Sequence, residues 1–214
     1  MKKTTKIIKD ACAEQEITYT LIETGSDKIC FMFSGLGYTY DKPLFYYATM
    51  LMLEKNIDVV QVHYSYDKEF LKQPAYLATE SMMNSIQPIM DVLLKNTHYK
   101  KTFFLGKSLG TIPIVNGIMK NNSFPSSKII LLTPLLKMDE MFKSIIESKH
   151  EGILVIGDKD QHYDLNKLEQ MKQTSLQVDI IKDANHSLDI AELDTVASIA
   201  VISRVMKNIV KIVE

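Results

Sequence analysis

The sequence is poor in the residues that mark disulfide-bonded, metal-binding or repetitive proteins. Among its 214 residues there are 2 cysteines, 6 prolines, 8 glycines and no tryptophan. The two thiols, Cys12 and Cys30, do not have the spacing of a metal site, and so few cysteines in a long chain are typical of a reduced, intracellular protein. The chain also has no internal repeat, low-complexity tract or linker. We therefore expect one cytoplasmic domain over residues 1–214.

Long hydrophobic runs and an excess of one charge are also missing. The most apolar stretch, 196–213, is interrupted by Arg204, Lys207 and Lys211, so it does not read as a membrane span. The basic start of the chain is not followed by an apolar core, which argues against a secretory signal. With 25 Lys and Arg against 26 Asp and Glu, the net charge is -1. This balance gives no electrostatic reason to expect nucleic acid or a membrane as a partner.

Apolar runs alternate with amphipathic stretches along the chain. The apolar runs predict strands at 17–24, 28–34, 58–66, 102–106, 128–136, 152–158 and 176–183. Apolar residues three or four apart predict helices at 43–55, 74–96, 111–120, 138–148, 164–173 and 194–213. A kink or break is expected at Pro88, inside the second of them. The alternation predicts an α/β fold with a mostly parallel sheet of about six to eight strands, covered by helices on both faces.

The segment LGKSLGT around Ser108 fits two motifs with different chemistry. Gly-Lys-Ser ends a phosphate-binding loop, but that loop needs a glycine where this chain has Lys101. Gly-x-Ser-x-Gly is the pattern of an activated serine at a sharp turn between a strand and a helix. Ser108 lies between a predicted strand and a predicted helix. At the two positions of the motif where a Cβ would clash, the chain has Gly106 and Gly110. We therefore predict that Ser108 is a nucleophile.

A nucleophilic serine needs a base to accept its proton and an acid to orient that base. Two loops that follow later strands contain suitable residues. Asp158 and Asp160 come after the strand 152–158, and His186 comes after the strand 176–183. Because parallel strands present their carboxyl ends at one edge of a sheet, the loops after the strands are expected to meet there. His186 is the predicted base, and either aspartate is a candidate for the acid.

With these residues the chain resembles the α/β-hydrolase superfamily, from about Lys28 to the C-terminus. The order Ser, Asp, His in loops after strands is the order of that family. The family's Gly-x-x-Asp pattern matches Gly157 and Asp160, which favours Asp160 over Asp158 as the acid. The segment Ala-Asn-His186-Ser-Leu is similar to the family's histidine loop.

The resemblance also implies an oxyanion hole, a lid and a pocket. Two backbone N–H groups should form the oxyanion hole, those of Leu109 and of Leu36, in a loop that reads Ser-Gly-Leu-Gly where the family usually has His-Gly. The family commonly inserts its lid at the position of residues 135–150, which here form barely one helix. The expected pocket residues are Tyr38, Tyr40, Met138, Met141 and Phe142.

Neither a cofactor nor a metal ion is expected. The segment from Asp158 to Glu169 is faintly similar to a calcium loop, but Tyr163 stands where the turn requires glycine. The Gly-Leu-Gly of the oxyanion loop continues to Tyr40, where a dinucleotide fingerprint requires glycine. Lys107 is expected to be a solvated lysine beside the nucleophile.

These residues predict a serine hydrolase that cleaves an ester or thioester through an acyl-enzyme. The short insertion suggests an open site for a small or accessible acyl group. Two alternatives stay open: a protein of the same fold that binds a ligand or partner without turnover, and an acyltransferase that passes the acyl group to an acceptor other than water. A complete set of Ser, Asp and His favours an enzyme over a binding protein, since binding does not need a strained serine.

Overall fold

The computed structural model describes residues 1–9, 16–95, 98–190 and 194–214. Cys12 and the predicted end of the second helix, Asn96, lie outside these residues. The strands are β1 (Lys2–Lys9), β2 (Glu16–Glu23), β3 (Lys28–Phe33), β4 (Asp58–His63), β5 (Lys101–Lys107), β6 (Lys128–Leu132), β7 (Glu151–Gly157) and β8 (Leu176–Ile181). They form an 8-stranded sheet in the order β1-β2-β4-β3-β5-β6-β7-β8. Pairs β1–β2 and β2–β4 are antiparallel, and the other pairs are parallel.

Helical segments connect the strands. The α-helices are α1 (Pro43–Glu54), α2 (Ala75–Leu94), α3 (Asp139–Glu147), α4 (Leu165–Met171) and α5 (Thr195–Val213). Two short 3-10 helices cover Lys68–Lys72 and Ser108–Gly110, and a π-helical segment covers Pro113–Met119. Within the described ranges, no helix combines the length and the apolar character that crossing a membrane requires.

The apolar core lies in two layers, one on each face of the sheet. Helices α2, α3 and α4 and the π-helical segment pack on one face, and α1 and α5 pack on the other. Neighbouring residues of β3 show why: Phe31 belongs to the first layer and Met32 to the second, and both are fully buried. A strand buried on both faces reads as a continuous apolar run. The predicted α/β fold, with a mostly parallel sheet covered on both faces, is confirmed.

Three local features differ from the sequence-based prediction. Strand β1 lies in a segment for which no element was predicted; it pairs along its whole length with β2. Strand β6 ends at Leu132 rather than continuing to residue 136, because Thr133 has a φ of 46° and turns the chain out of the sheet. Helix α2 is not broken at Pro88, since buried residues before and after the proline hold both halves against the core; whether the proline kinks the helix stays a prediction.

Candidate active site

Ser108 occupies a strained turn directly after β5. Its φ is 52°, in the left-handed region that residues with a Cβ rarely adopt. The turn leads into the 3-10 helix and then into the π-helical segment, so the chain reverses sharply at the carboxyl edge of the sheet. Such strain persists only where the surrounding structure holds it in place, and it is typical of functional sites.

The two glycines of the motif are required by close backbone approach. A Cβ on Gly106 would lie 2.3 Å from the carbonyl oxygen of Gly110. A Cβ on Gly110 would lie 2.0 Å from the carbonyl oxygen of Phe33, at the end of β3. Both distances are shorter than any real contact of a Cβ atom. The glycines therefore let the turn at Ser108 lie against the end of β3 and the start of the loop that follows it.

The side chains of Ser108, His186 and Asp160 form one hydrogen-bonded chain. The Nε2 atom of His186 lies 2.8 Å from the Oγ of Ser108, and its Nδ1 atom lies 2.8 Å from Oδ2 of Asp160. An ionised carboxylate only accepts hydrogen bonds. Nδ1 of His186 therefore carries the proton and donates a hydrogen bond to Asp160. In the neutral imidazole, Nε2 then accepts the hydrogen bond of the serine hydroxyl. The three residues come together from loops after β5, β7 and β8.

Asp160 is held in the ionised form although its side chain is fully buried. Burial by itself raises the pKa of the carboxyl group, but the hydrogen bonds from His186 and from the backbone N–H of His162 outweigh it, and the pKa is lowered. The His162 N–H donates to Oδ1 over 2.8 Å. Both carboxylate oxygens thus have a donor, one of which is the imidazole.

The alternative acid, Asp158, has a different position. Its Oδ1 accepts a hydrogen bond of 2.7 Å from the backbone N–H of Asp183 in the turn after β8. Its carboxylate also lies 3.9 Å from the ammonium group of Lys159. Asp158 therefore holds the histidine loop to β7 through the backbone, whereas Asp160 contacts the imidazole of His186 directly.

The two segments with the predicted oxyanion donors adjoin Ser108. A Cβ on Gly35 would lie 3.4 Å from the Cβ of Ser108, so the loop after β3 touches the turn. The N–H of Tyr38 donates to the carbonyl of Gly35 over 3.1 Å, which closes a tight turn with Leu36 near its tip. Leu109 is the second residue of the 3-10 helix, where N–H groups have no partner within the helix. Its N–H is thus free of the helix's own hydrogen bonds.

The two tyrosines of the predicted pocket have structural contacts. The hydroxyl of Tyr40 donates to the carbonyl oxygens of Met32 and Val62, at 2.8 and 2.6 Å, and so covers the ends of β3 and β4. Tyr38 accepts a hydrogen bond of 3.3 Å from the N–H of Leu44 at its hydroxyl. Burial raises the pKa of both phenols, so both stay protonated near neutral pH. Through this hydroxyl, Tyr40 covers the sheet edge.

The residues expected in the lid differ in their exposure. Met141 is fully buried and packs in the core, while Met138 and Phe142 are partly buried against that core. The ammonium group of Lys167, from α4, lies 5.2 Å from the centre of the Phe142 ring and donates to the carbonyl of Leu136 over 2.9 Å. Helix α3 is therefore fixed to α4, and only Met138 and Phe142 of this group remain available to contact a substrate.

Lys107 is not the solvated residue that the sequence analysis expected. Only 1% of its surface is exposed, because β5 is covered on both faces up to its last residue. Its Nζ donates to the carbonyl oxygen of His186 over 2.8 Å and to Oγ1 of Thr133 over 3.1 Å. Burial lowers the pKa of the ammonium group to about 8, against the opposing effect of Asp160 and Asp189. The sequence pattern gave a signal for this burial, since TFFLGK continues a run buried on both sides.

A second histidine lies beside the hydrogen-bonded chain. The ring centres of His162 and His186 are 5.4 Å apart. Burial lowers the pKa of His162, so this ring is neutral near neutral pH, and its Nδ1 is buried without a hydrogen-bond partner among the described residues. His162 is not among the candidate residues that the sequence singles out. Its position two residues after Asp160 was the available signal, since a short loop keeps both side chains near the imidazole of His186.

Metal ligation finds no support in the described ranges. They contain no group of three or more His, Cys, Asp or Glu side chains arranged to hold an ion. The segment with the faint likeness to a calcium loop uses its carboxylates elsewhere: Asp160 contacts His186, and Asp164 caps α4 by accepting from the N–H of Lys167.

Comparison with known proteins agrees with this geometry. A family described as "Alpha/beta hydrolase domain" matches residues 27–214. An esterase of Pyrococcus furiosus has a similar structure, with a TM-score of 0.71 at 12% identity, covering 100% of this chain and 93% of its own. An α/β serine hydrolase without a lid from Xanthomonas campestris gives 0.71 at 10% identity, covering 98% and 94%. A dienelactone hydrolase of Anabaena variabilis gives 0.65 at 15% identity, covering 99% of each chain.

At these identities, the structural likeness shows a shared fold and no more. Comparison with curated proteins gives no match.

Proposed function

Because the chain belongs to the α/β-hydrolase family, we propose that it is a serine hydrolase that cleaves an ester or thioester of a small or accessible acyl substrate. The observation that carries this proposal is the hydrogen-bonded chain from the Oγ of Ser108 through the imidazole of His186 to the carboxylate of Asp160. The strained φ of Ser108 supports an enzyme over a binding protein, since ligand binding alone gives no reason to hold a serine in that conformation.

The first half of the proposed reaction forms the acyl-enzyme. The Oγ of Ser108 attacks the carbonyl carbon while its proton passes to Nε2 of His186. Asp160 stabilises the imidazolium that results. The negative charge moves to the carbonyl oxygen, which accepts hydrogen bonds from the N–H groups of Leu36 and Leu109. Collapse of this intermediate breaks the bond to the alcohol or thiol, which leaves with the proton from Nε2.

The second half of the reaction releases the acid. A water molecule takes the place of the leaving group and gives its proton to Nε2 of His186 as it attacks the acyl carbon. The bond to Oγ of Ser108 then breaks, and the serine recovers its proton from the imidazole. Each oxyanion donor is expected to contribute about 10²–10³ in rate. If an alcohol or amine replaced the water, the same residues would transfer the acyl group instead.

The surroundings of the site support a substrate that is small or presented at a surface. The side chain of His186 is 30% exposed, so solvent reaches the imidazole, while Ser108 beside it is 8% exposed. The insertion between β6 and β7 is the single short helix α3, which is fixed to α4 and leaves no long segment to fold over the site. The structurally similar proteins are described as an esterase and as a serine hydrolase without a lid, which agrees with this proposal.

The proposal is tested first with a fluorophosphonate probe, which reacts covalently with activated serines. We expect the wild type to be labelled and Ser108→Ala to be unlabelled. Ser126→Ala is the matched control, because Ser126 is an exposed serine at the opposite edge of the sheet. It should be labelled at the wild-type rate. A wild type that the probe does not label would contradict the proposal and favour a binding protein of the same fold.

A panel of p-nitrophenyl esters and acyl thioesters then separates the substrate classes. A hydrolase releases free acid from at least one of them, with the loss of activity in Ser108→Ala. Addition of alcohols or amines to the same reactions distinguishes transfer from hydrolysis, since a transferase forms the new ester or amide in preference to the acid.

A further inference from the structure

Lys107 connects the loops of the site through one buried ammonium group. The three N–H bonds of a lysine ammonium need three partners. Two of them are oxygen atoms, the carbonyl of His186 at 2.8 Å and Oγ1 of Thr133 at 3.1 Å. On the third side, the Tyr38 ring lies with its centre 4.5 Å from Nζ, at the distance of a cation–π contact.

These partners belong to different loops of the carboxyl edge. Thr133 follows β6, His186 carries the imidazole, and Tyr38 closes the turn that holds Leu36. Lys107 itself immediately precedes Ser108. A single side chain thus links the nucleophile turn to the histidine loop, the oxyanion loop and the turn after β6.

Removing an ammonium group from water costs free energy, so a buried lysine must supply an interaction that compensates for this cost. Within the described ranges, no carboxylate forms an ion pair with Lys107, although Asp160 and Asp189 attract its charge from farther away. An apolar side chain of similar length would fill the same space without the cost of removing a charge from water. What it would not supply is a donor to the carbonyl of His186.

We propose that Lys107 is a positioning residue, whose ammonium group holds the histidine loop and the oxyanion loop at the distances from Ser108 that acylation requires. This inference rests on the proposed function, because positioning matters only for a serine that reacts. Lys107 does not contact the reacting atoms. It acts through the backbone of His186 and the ring of Tyr38, and both lie on loops that carry groups of the site.

The direct test compares Lys107→Met with Lys101→Met. Methionine keeps an unbranched stem and removes the ammonium group, and Lys101 is an exposed lysine at the other end of the same strand. With the fluorophosphonate probe, we expect Lys107→Met to react about 10–100-fold more slowly, since small displacements of reacting groups have effects of this size. Lys101→Met should react as the wild type does. If the probe labels the wild type, an equal rate for Lys107→Met would refute the positioning role.

The dependence of labelling on pH gives a readout that loss of packing would not change. The groups that face Nζ are the carboxylates of Asp160 and Asp189 and the phenol of Tyr38, whose raised pKa keeps it protonated. The wild-type rate should fall above about pH 8, as Lys107 loses its charge. The fall should be absent in Lys107→Met. A wild-type rate that stays constant above this pH would contradict the proposal.

Two further measurements keep the test decisive. If Lys107→Met does not fold, Thr133→Val removes one acceptor of the ammonium group and keeps the shape of the side chain; slower labelling of this variant supports the role, and unchanged labelling opposes it. Proton NMR of the His186 Nδ1–H, hydrogen bonded to Asp160, needs no reaction. A signal that is present in the wild type and lost in Lys107→Met supports the positioning role, whether or not the probe labels either protein. Absence of labelling in both proteins refutes only the proposed function. An unchanged signal opposes it.

Discussion

The two edges of the same parallel sheet differ in what they bury. At the carboxyl edge, Ser108 and Thr133 have left-handed backbone conformations, and Lys107 and Asp160 are charged side chains almost without exposure. At the amino edge, Asp58 is buried too, but its carboxylate accepts hydrogen bonds from Thr24 and from the hydroxyl of Tyr99, and other charged residues remain in water.

The pair Lys128–Glu151, which joins the starts of β6 and β7, shows the difference. Its side chains are 38% and 65% exposed. Exposed pairs of this kind contribute little to stability and impose little strain. The comparison teaches that the two edges hold charge differently: Lys107 and Asp160 are buried on the segments around Ser108, whereas Lys128 and Glu151 form an exposed pair at the amino edge.

The largest effect should appear at the carboxyl edge, in the reaction rate. Asp160→Asn removes the carboxylate that fixes the imidazole tautomer, and we expect labelling by the fluorophosphonate to fall by about 10³–10⁴. Asp158→Asn, in the same loop, keeps an oxygen that accepts from the N–H of Asp183, so its rate should stay within about threefold of the wild type. A comparable loss in both variants would mean that the loop as a whole, and not the contact with His186, sets the rate.

Added methyl groups should separate the edges in stability. Gly110→Ala places a Cβ 2.0 Å from the carbonyl of Phe33, and the backbone must move; we expect a loss of about 2–4 kcal/mol in the free energy of unfolding. Gly25→Ala, in the turn before β3, has nothing within 4 Å and is strained only by its φ of 84°, so about 1 kcal/mol is expected. Chemical denaturation measures both. Equal losses would show that Gly110 is not tightly enclosed.

The acid side of the stability curve tests the carboxylate of Asp160. Its pKa is lower in the folded protein than in the unfolded chain, so its stabilisation is fully present above the unfolded value and is lost as the pH falls through the folded value. At pH 7 the free energy of unfolding of the wild type should exceed that of Asp160→Asn by about 1–3 kcal/mol. This gap should shrink as the pH falls below about 5. Urea unfolding at a series of pH values measures the gap. A gap that does not change with pH would exclude an ionised Asp160 as its source.

The smallest effect is expected at the amino edge. Lys128→Met breaks the ion pair with Glu151 and should change the free energy of unfolding by less than about 1 kcal/mol, with the change becoming smaller in high salt. Labelling of Ser108 should be unaffected. A loss of labelling in this variant would contradict the separation of the two edges.

The sequence predicted the sheet and the triad geometry for one reason. Strands that are buried on both faces leave long apolar runs, and the residues after them stand at one edge whatever the details of packing. Ser108, Asp160 and His186 each follow such a run, and the structure brings their side chains within hydrogen-bonding distance. Their catalytic roles remain predictions, which the probe experiments address.

The sequence was less informative where tertiary contacts override local preference. Lys107 has a side chain that is normally solvated, and only the enclosure of β5 on both faces buries it. Strand β1 is rich in lysine and has little apolar character, so its apolar pattern did not predict a strand that pairs with β2. Helix α2 passes through Pro88 because its buried face, and not its local propensity, determines its length.

Strand β1 has a consequence for how these molecules meet in solution. Among the described residues it pairs with β2 alone, so its other side presents a row of backbone donors and acceptors on which a strand from another molecule has room to add. Lys2, Lys3 and Lys6 are exposed along this strand. When the β1 strands of two molecules approach each other, their lysines repel. The same lysines that kept β1 from being predicted as a strand therefore also disfavour the extension of the sheet from one molecule to the next.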